Sequence, residues 1–322
     1  MRYTIIPSTE LKPSTICLGS TNIGSTIDQE SSFRLLDSYL EQGGNFIDTA
    51  SVYANWLPGE KSVSEKTIGR WLKLRESRDK IILTTKGAHP DLSTMHISRL
   101  SRPEIVHDLQ ASLKNLQSEV IDLYWLHRDD VNRPVEDILE TLNDQVKAGK
   151  IRYFGCSNWR TARIKVAQAY AAVYGVQGFS ANQMMWSLAL VDPAGIRDKT
   201  TAWMDGEMKQ YHRETGWAAM AYSSQANGLF QRMAQGTVNQ MDPNARNMYQ
   251  VEENQHRFER IKRLAADSSL SVTEIVLGYL QAQPFTTVPI VGCRTMEQLR
   301  DSLKAAEVRL DPEQVKYLEQ GE

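Results

Sequence analysis

Apolar and polar positions come in blocks along this chain, and two kinds of block recur. Short, nearly continuous apolar runs occur at Ile16-Cys17-Leu18, Asn45-Phe46-Ile47, Ile81-Ile82-Leu83, Ile121 to Leu126 and Arg152-Tyr153-Phe154. Three more follow at Phe179-Ser180-Ala181, Trp217 to Ala221 and Thr287 to Ile290. Runs this short and this apolar predict parallel strands buried on both faces. Between them the period changes. Ile105, Leu109, Leu113 and Leu116 recur at spacings of four, four and three, and Val135, Ile138, Leu142 and Val146 at three, four and four. Each set puts one apolar stripe on a helix. Capping boxes are predicted at Ser62 with Glu65, Ser101 with Glu104, Ser271 with Glu274 and Thr295 with Gln298. Pro103 and Pro312 suit early helical positions, where a missing N–H costs little.

Eight strands alternating with helices predict an α/β fold, a (β/α)8 TIM barrel. The alternative is an open, doubly wound sheet. No composition break or Pro/Gly/Ser linker divides the chain, so residues 1–322 read as a single barrel domain. The long irregular stretches are 191–215 and 223–253, and in a barrel both are expected as loops on the catalytic face.

Composition then narrows the function. With 41% hydrophobic and 24% charged residues, the 322-residue chain has the make-up of a folded soluble protein. A formal net charge of −2 argues against nucleic-acid or membrane-surface partners. No apolar run approaches the ~18 residues that span a bilayer, and Met1-Arg2-Tyr3-Thr4 lacks the apolar stretch of a signal peptide. Cys17, Cys156 and Cys293 are isolated, which suits a reducing cytoplasm and suggests no metal cluster.

Candidate chemistry collects where apolar runs end. Asp48 closes the second run, Lys86 follows the third, His127 follows the fourth, and Tyr53 lies five residues past Asp48. In a barrel these strand ends converge. Reducing a carbonyl needs a hydride donor and a proton donor. A free Tyr has a pKa of about 10, too high for acid work near neutrality. An ammonium beside it lowers that value, and a buried ammonium needs a carboxylate. Lys86 and Asp48 can supply the two, and His127 can hold the substrate oxygen. Singly, each has a plainer reading: a solvated lysine, a capping aspartate, a structural histidine, a surface tyrosine. The combination carries the reading.

The order Asp48-Thr49-Ala50-Ser51-Val52-Tyr53, Thr85-Lys86, Leu126-His127, Ser157-Asn158 and Gly292-Cys293-Arg294 resembles the aldo-keto reductase family, from about residue 14 to about residue 302. The resemblance implies an NADP(H)-dependent oxidoreductase, with Tyr53 as general acid/base, Lys86 and Asp48 as its tuning pair and His127 as orienter. It implies that Ser157, Asn158 and Gln183 hold the nicotinamide carboxamide and that Tyr222 stacks on the ring. Gly19, Ser20 and Thr21 are implied at the ribose and diphosphate, with Ser223, Gln225 and the rest of the stretch to Phe230 covering the diphosphate. Gln298, Asp301 and Ser302 are implied near the adenosine, where Asp301 and Ser302 depart from the usual Glu and Asn. Neither G-x-G-x-x-G nor a Walker sequence is present.

Gly292-Cys293-Arg294 also has a physical argument of its own. It precedes a helix capped by Thr295, whose N-terminus favours anions, and Arg294 adds a planar fork for a phosphate. Among aromatics, Trp56, and more weakly Trp186 and Trp203, are expected to line a pocket for a carbonyl or sugar substrate. Arg128 and Asp129 follow His127 and either reach a polar substrate or are surface charges. Two other readings stay open. One is an NADP-sensing regulatory subunit, as some members of this family serve ion channels. The other is a lyase or isomerase barrel using a metal or a Schiff-base Lys86. Substrate, direction and oligomeric state are not fixed by these residues.

Overall fold

The computed structural model describes residues 1–321. Among them, eight parallel strands close into a barrel in chain order. They are β1 (Cys17–Gly19), β2 (Phe46–Asp48), β3 (Ile82–Gly87), β4 (Ile121–Leu126), β5 (Ile151–Ser157), β6 (Ala181–Met185), β7 (Ala218–Tyr222) and β8 (Thr287–Val291). Helices α1 (Gln29–Glu41), α2 (Val63–Arg75), α3 (Arg102–Leu116), α4 (Val135–Lys147) and α5 (Thr161–Tyr174) alternate with the first six strands. Then come α6 (Gly206–Thr215), α7 (Leu229–Gln235), α8 (Pro243–Met248), α9 (Glu252–Ser268) and α10 (Val272–Gln281). After β8 lie α11 (Met296–Lys304) and α12 (Pro312–Gln320). The expected (β/α)8 barrel is the fold.

The apolar runs found five of the strands to within a residue, while those at 81–83 and 152–154 stop three or four residues short of the ends of β3 and β5. The sixth run, 179–181, only leads into its strand, which continues through polar Asn182 and Gln183 to Met185. An apolar pattern misses a strand whose inward face turns polar at the top of the barrel.

Alternation along each strand sorts the core. Cys17, Phe46, Leu123, Trp125, Ala181, Ala218, Met220 and Val288 fill the barrel. Their neighbours Leu18, Ile47, Leu83, Tyr124 and Leu126 pack outward against helices. The N-terminal segment plugs the barrel floor: Tyr3 pairs antiparallel with Ser14, and Ile6 and Leu11 enter the interior core. Helix–strand packing on the other flank builds a second layer around Trp186, Phe230, Ile261 and Tyr279.

Capping explains the helix starts, with corrections. Full boxes form at Ser101 with Glu104 and at Ser271 with Glu274. At Thr295 the hydroxyl accepts from Gln298 N, while Gln298 reaches past it to the N–H of Arg294. The box predicted at Ser62 does not form. Ser62 is left-handed (φ 54°) and donates to Ser51 O instead, while Glu65 turns into the protein toward Thr85 and Asn115. The stretches 191–215 and 223–253 are not irregular throughout. Asp205 and Asp242 cap α6 and α8 within them, on sequences too polar to carry an apolar stripe.

Candidate active site

The site is built by the period-two alternation of parallel strands. Phe46 points into the barrel and Ile47 out, so Asp48 points in. On β3, Leu83 points out, so Thr84 and Lys86 point in while Thr85 turns out to Glu65. On β4, Trp125 points in, which aims His127 inward just past the strand end. Register does the rest: Asp48 sits beside Thr84, and Lys86 beside Trp125. Residues 38 and 41 positions apart along the chain thereby meet at one rim.

Lys86 is the hub. Its Nζ donates to Asp48 Oδ2 at 2.5 Å, to Thr49 O at 2.8 Å and to the Tyr53 hydroxyl at 2.8 Å. An ammonium has three protons and no acceptor, so these bonds saturate it. The Tyr53 oxygen therefore accepts, and its own proton is left to point elsewhere. Asp48 is held in turn at Oδ1 by Thr84 Oγ1 (2.9 Å) and Gln183 Nε2 (3.1 Å). Burial favours the neutral amine of Lys86, yet Asp48 and Tyr53 outweigh it and hold the lysine above its ordinary value.

For Tyr53 the balance differs from expectation. Burial is the largest influence and raises its pKa; Lys86 pulls it down and Asp48 pushes it up, and the net direction is upward. The lysine moderates the shift without reversing it, because a phenolate in a dry pocket costs more than one ammonium returns.

His127 is buried and lies edge-on to Tyr53, with ring centroids 6.1 Å apart. Burial first, then Arg128, His89 and Lys86, hold it well below the usual histidine value, so it is neutral. Its Nδ1 is sealed from solvent with no partner among the described residues, whereas Nε2 is not sealed.

The cofactor candidates separate into open and engaged groups. Ser157 pairs in register with Gln183 and Met185 with Tyr222, so β5, β6 and β7 bring Ser157, Asn158, Gln183 and Tyr222 to the same rim. Gln183 spends its amide N–H on Asp48, which assigns its Oε1 as the atom left to accept. Asn158 is saturated instead. Its Nδ2 donates to His127 O and Ser157 Oγ, and its Oδ1 accepts from Tyr222 OH (2.6 Å) and Ala202 N. Asn158, left-handed at φ 63°, is thus a post joining three strand ends to the 191–205 loop.

Ser20 is turned away from the barrel interior toward α2: it is fully buried, donates to Asp48 O and is bonded by Ser64. Gly19 is needed there, since a Cβ would meet Ile290 Cγ2 at 2.7 Å. Thr21 is exposed and its hydroxyl lies near Tyr53. Ser223 is left-handed (φ 52°) at the turn out of β7.

At the far end, Arg294 is exposed, and its guanidinium has no hydrogen bond or ion pair among the described residues. Space is open above Gly292. Ser302 is buried, accepting from Gln225 and Cys293, and Asp301 pairs with Lys304. Of the implied adenosine contacts, Ser302 is therefore turned inward and ties the 223–230 stretch to α11. The donor set fits a dinucleotide phosphate: an unpaired guanidinium beside a capped helix N-terminus, with a bare glycine between it and the barrel.

Two aromatic expectations part ways. Trp56 is 52% exposed on the loop carrying Tyr53. Trp186 is a correction: it is buried, stacked on Phe285 and edge-on to Tyr279, because its position past β6 turns it outward into the helix layer. Trp203 bridges back to Met185 under the Arg160 guanidinium, 4.4 Å from the ring. Arg128 is spent on Asp198 (2.8 Å), Thr200 and His127 O, and Asp129 on Arg163, its pKa pushed up to about 6 by burial. A cavity of about 790 Å³ lies between α7, α8 and α9, lined by Leu229, Met233, Tyr249 and Phe258, beside rather than at this rim.

His89 is the residue the pattern missed. It follows Lys86 by three, is 8% exposed, and lies edge-on to His127 at 4.7 Å between centroids. The available signal was a histidine just past the same strand end.

The sequence pattern of the aldo/keto reductase family matches residues 15–321. The chain is 32% identical to the uncharacterized oxidoreductase YrpG of Bacillus subtilis (strain 168), covering 99% of this chain and 95% of the relative. It is 27% identical to norsolorinic acid reductase B of Dothistroma septosporum, over 98% of this chain and 80% of the relative. Among solved structures, the thermostable aldo-keto reductase Tm1743, in complex with the inhibitor epalrestat, superposes with a TM-score of 0.72 over 99% of both chains at 23% identity, a likeness of fold. Barrel, rim and sequence together establish that the chain belongs to the aldo/keto reductase family of oxidoreductases.

Proposed function

We propose that the protein is an NADP(H)-dependent carbonyl reductase, or runs the reverse oxidation of alcohols or sugars, with Tyr53 as general acid/base. The observation that carries this reading is the saturated lysine: three bonds on Lys86 Nζ leave the Tyr53 proton as the one mobile proton of the cluster. When bound, NADPH supplies the hydride to the carbonyl carbon. Tyr53 gives its proton to the substrate oxygen. The phenolate left behind lies 2.8 Å from an ammonium that Asp48 keeps charged. His127, neutral and with Nδ1 sealed, carries its proton on Nε2 and donates it to the same oxygen.

Ser157 and Gln183, which retain hydrogen-bonding capacity, would hold the carboxamide, and Tyr222 would lie under the ring. Asn158 and Ser20 support the cradle from behind. Preference for the 2′-phosphate rests on Arg294 and the start of α11. The three cysteines, buried and free, agree with a cytoplasmic setting. Residues 1–322 are read as one functional barrel.

The test is a titration with NADPH and NADH, followed by tryptophan quenching, on wild type and Arg294→Ala. Wild type is expected to bind NADPH more tightly. Arg294→Ala is expected to lose about ten- to a hundredfold of NADPH affinity and little NADH affinity, the worth of a charge-assisted pair. Equal loss for both cofactors would overturn the phosphate assignment, and binding of neither would overturn the redox reading.

A further inference from the structure

His89 sits on a loop that the fold holds in place by unusual means. Ala88 is left-handed at φ 57° without being glycine, a conformation that surrounding contacts must enforce. Gly87 before it has no room for a side chain, since a Cβ would lie 1.8 Å from the Tyr124 hydroxyl. Buried Asp108 accepts from Ala88 N at 2.9 Å and holds Arg99 through two bonds (2.7 and 3.0 Å). Arg99 in turn reaches His89 O at 3.4 Å. A partly buried ion pair thus grips the loop on both sides of the Ala88–His89 peptide.

The grip fixes the His89 ring and its tautomer. Nδ1 lies 2.6 Å from Pro90 O, and a carbonyl only accepts, so the proton is on Nδ1. Burial first, and then Arg128, keep the ring from taking a second proton. Nε2 is therefore a bare lone pair. It has no partner among the described residues and is not sealed from solvent. His127 has its sealed nitrogen at Nδ1, and on the mechanism proposed above its donor is Nε2. Two neutral histidines in edge-on contact thus offer one donor and one acceptor side by side. Nothing in the Tyr53 chemistry uses the acceptor.

We infer that His89 is a specificity residue of this site: its Nε2 accepts a hydrogen bond from a hydroxyl on the carbon next to the reacting carbonyl, so the substrate class is α-hydroxy aldehydes and ketones. The inference rests on the reading of Tyr53 and His127 given above. With the carbonyl oxygen on His127, the neighbouring hydroxyl oxygen of such a substrate is about one hydrogen-bond length away, which suits a partner ring packed against His127. A substrate lacking that hydroxyl covers the lone pair, excludes water from it and leaves it unpaired, and sites of this kind reject such analogues strongly. In the oxidative direction the same pair recognises a vicinal diol.

The test compares 2-hydroxy-1-phenylethanone with acetophenone, using NADPH, in wild type, His89→Phe and His89→Gln. Wild type is expected to favour the hydroxylated ketone by about tenfold or more in kcat/KM. His89→Phe keeps an edge-on ring without the acceptor, and the ratio is expected to fall about tenfold. His89→Gln, whose Oε1 can stand where Nε2 stood, is expected to restore part of it. A binding readout runs beside it: calorimetry of 1-phenylethane-1,2-diol against 1-phenylethanol on the NADP⁺ complex should give the same order. Turnover of both ketones by wild type without preference would overturn the subsite while leaving the reductase reading intact, and so would an unchanged ratio in folded His89→Phe. Turnover of neither would overturn both.

Discussion

Two buried aspartates on neighbouring regions of one barrel do opposite work. Asp48, at the carboxyl end of β2, pairs with Lys86. Asp122, at the amino end of β4, pairs with Arg78 (2.9 Å) and Arg152 (3.2 Å) and accepts from Leu83 N. Both carboxylates are nearly inaccessible, and both are satisfied by cations and strand neighbours. The difference lies in the cation and in what else it touches. Arginine keeps its charge and offers a fixed fork, so the Asp122 cluster is a clasp between β3, β4 and β5 over a polar cavity of about 580 Å³. Lysine is a point charge whose third proton is free to meet another group, and at Lys86 that group is the Tyr53 hydroxyl. A carboxylate–cation pair becomes chemistry when a third, proton-bearing group is wired to the cation. Its place follows the general rule for such barrels, reactive groups at the carboxyl ends and stabilising ones below.

The sharpest way to break the comparison is to remove the third group. Tyr53→Phe should lower the rate of carbonyl reduction by about 10²–10⁴-fold, the usual worth of a positioned acid, while cofactor quenching persists. Turnover near wild type would mean the site is no more catalytic than the clasp. Next, Lys86→Arg makes the top pair resemble the bottom one. The charge survives, but a planar fork cannot repeat three bonds converging on one atom, and a loss of roughly 10²-fold in kcat is expected with modest change in melting temperature. Retained activity would show that charge alone matters.

On the other side, Arg78→Met should cost about 1–3 kcal/mol of unfolding free energy by denaturant titration, because Asp122 keeps Arg152 but loses its better partner. Its kcat should not move, and a parallel fall in kcat would erase the distinction between the two ends.

The smallest effect is in pH. Lys86 is raised in the folded protein. Its contribution to stability is therefore complete below the unfolded value of about 10.4 and is lost as pH climbs through the higher folded value. The stability gap between wild type and Lys86→Met should hold up to about pH 10 and narrow above it. The gap between wild type and Arg78→Met should hold, since a guanidinium does not titrate there. A gap for Lys86→Met that stays constant with pH would contradict the sign.

Much of this was legible beforehand, for a physical reason. A strand buried on both faces must be apolar, so the first polar residue at its carboxyl end stands out. Asp48 and His127 were found that way, and Lys86 as the first charge past its run, beyond Thr84 and Thr85. Trp186 was not: it also sits just past a strand end, and only packing against Phe285 and Tyr279 decides that it faces the helices. Ser62 looked like a cap until the Tyr53 loop supplied a different acceptor, Ser51 O. Asn158 read as an open amide and is filled by groups 31, 44 and 64 positions away. Arg128 read as available and is paired 70 positions on.

Sequence by itself determined the alternation, hence the α/β class, and which residue types stand at the strand ends, because burial and backbone period act locally and leave their mark in order along the chain. Tertiary structure alone decided how each polar group spends its hydrogen bonds: that the third proton of Lys86 meets Tyr53, and that Asn158 is closed while Gln183 is open. It decided too that the His89 ring is tied through Nδ1 to Pro90 O while Nδ1 of His127 is sealed without a partner. Those outcomes depend on partners far apart in the chain and on exclusion of water, and neither is written in any one segment.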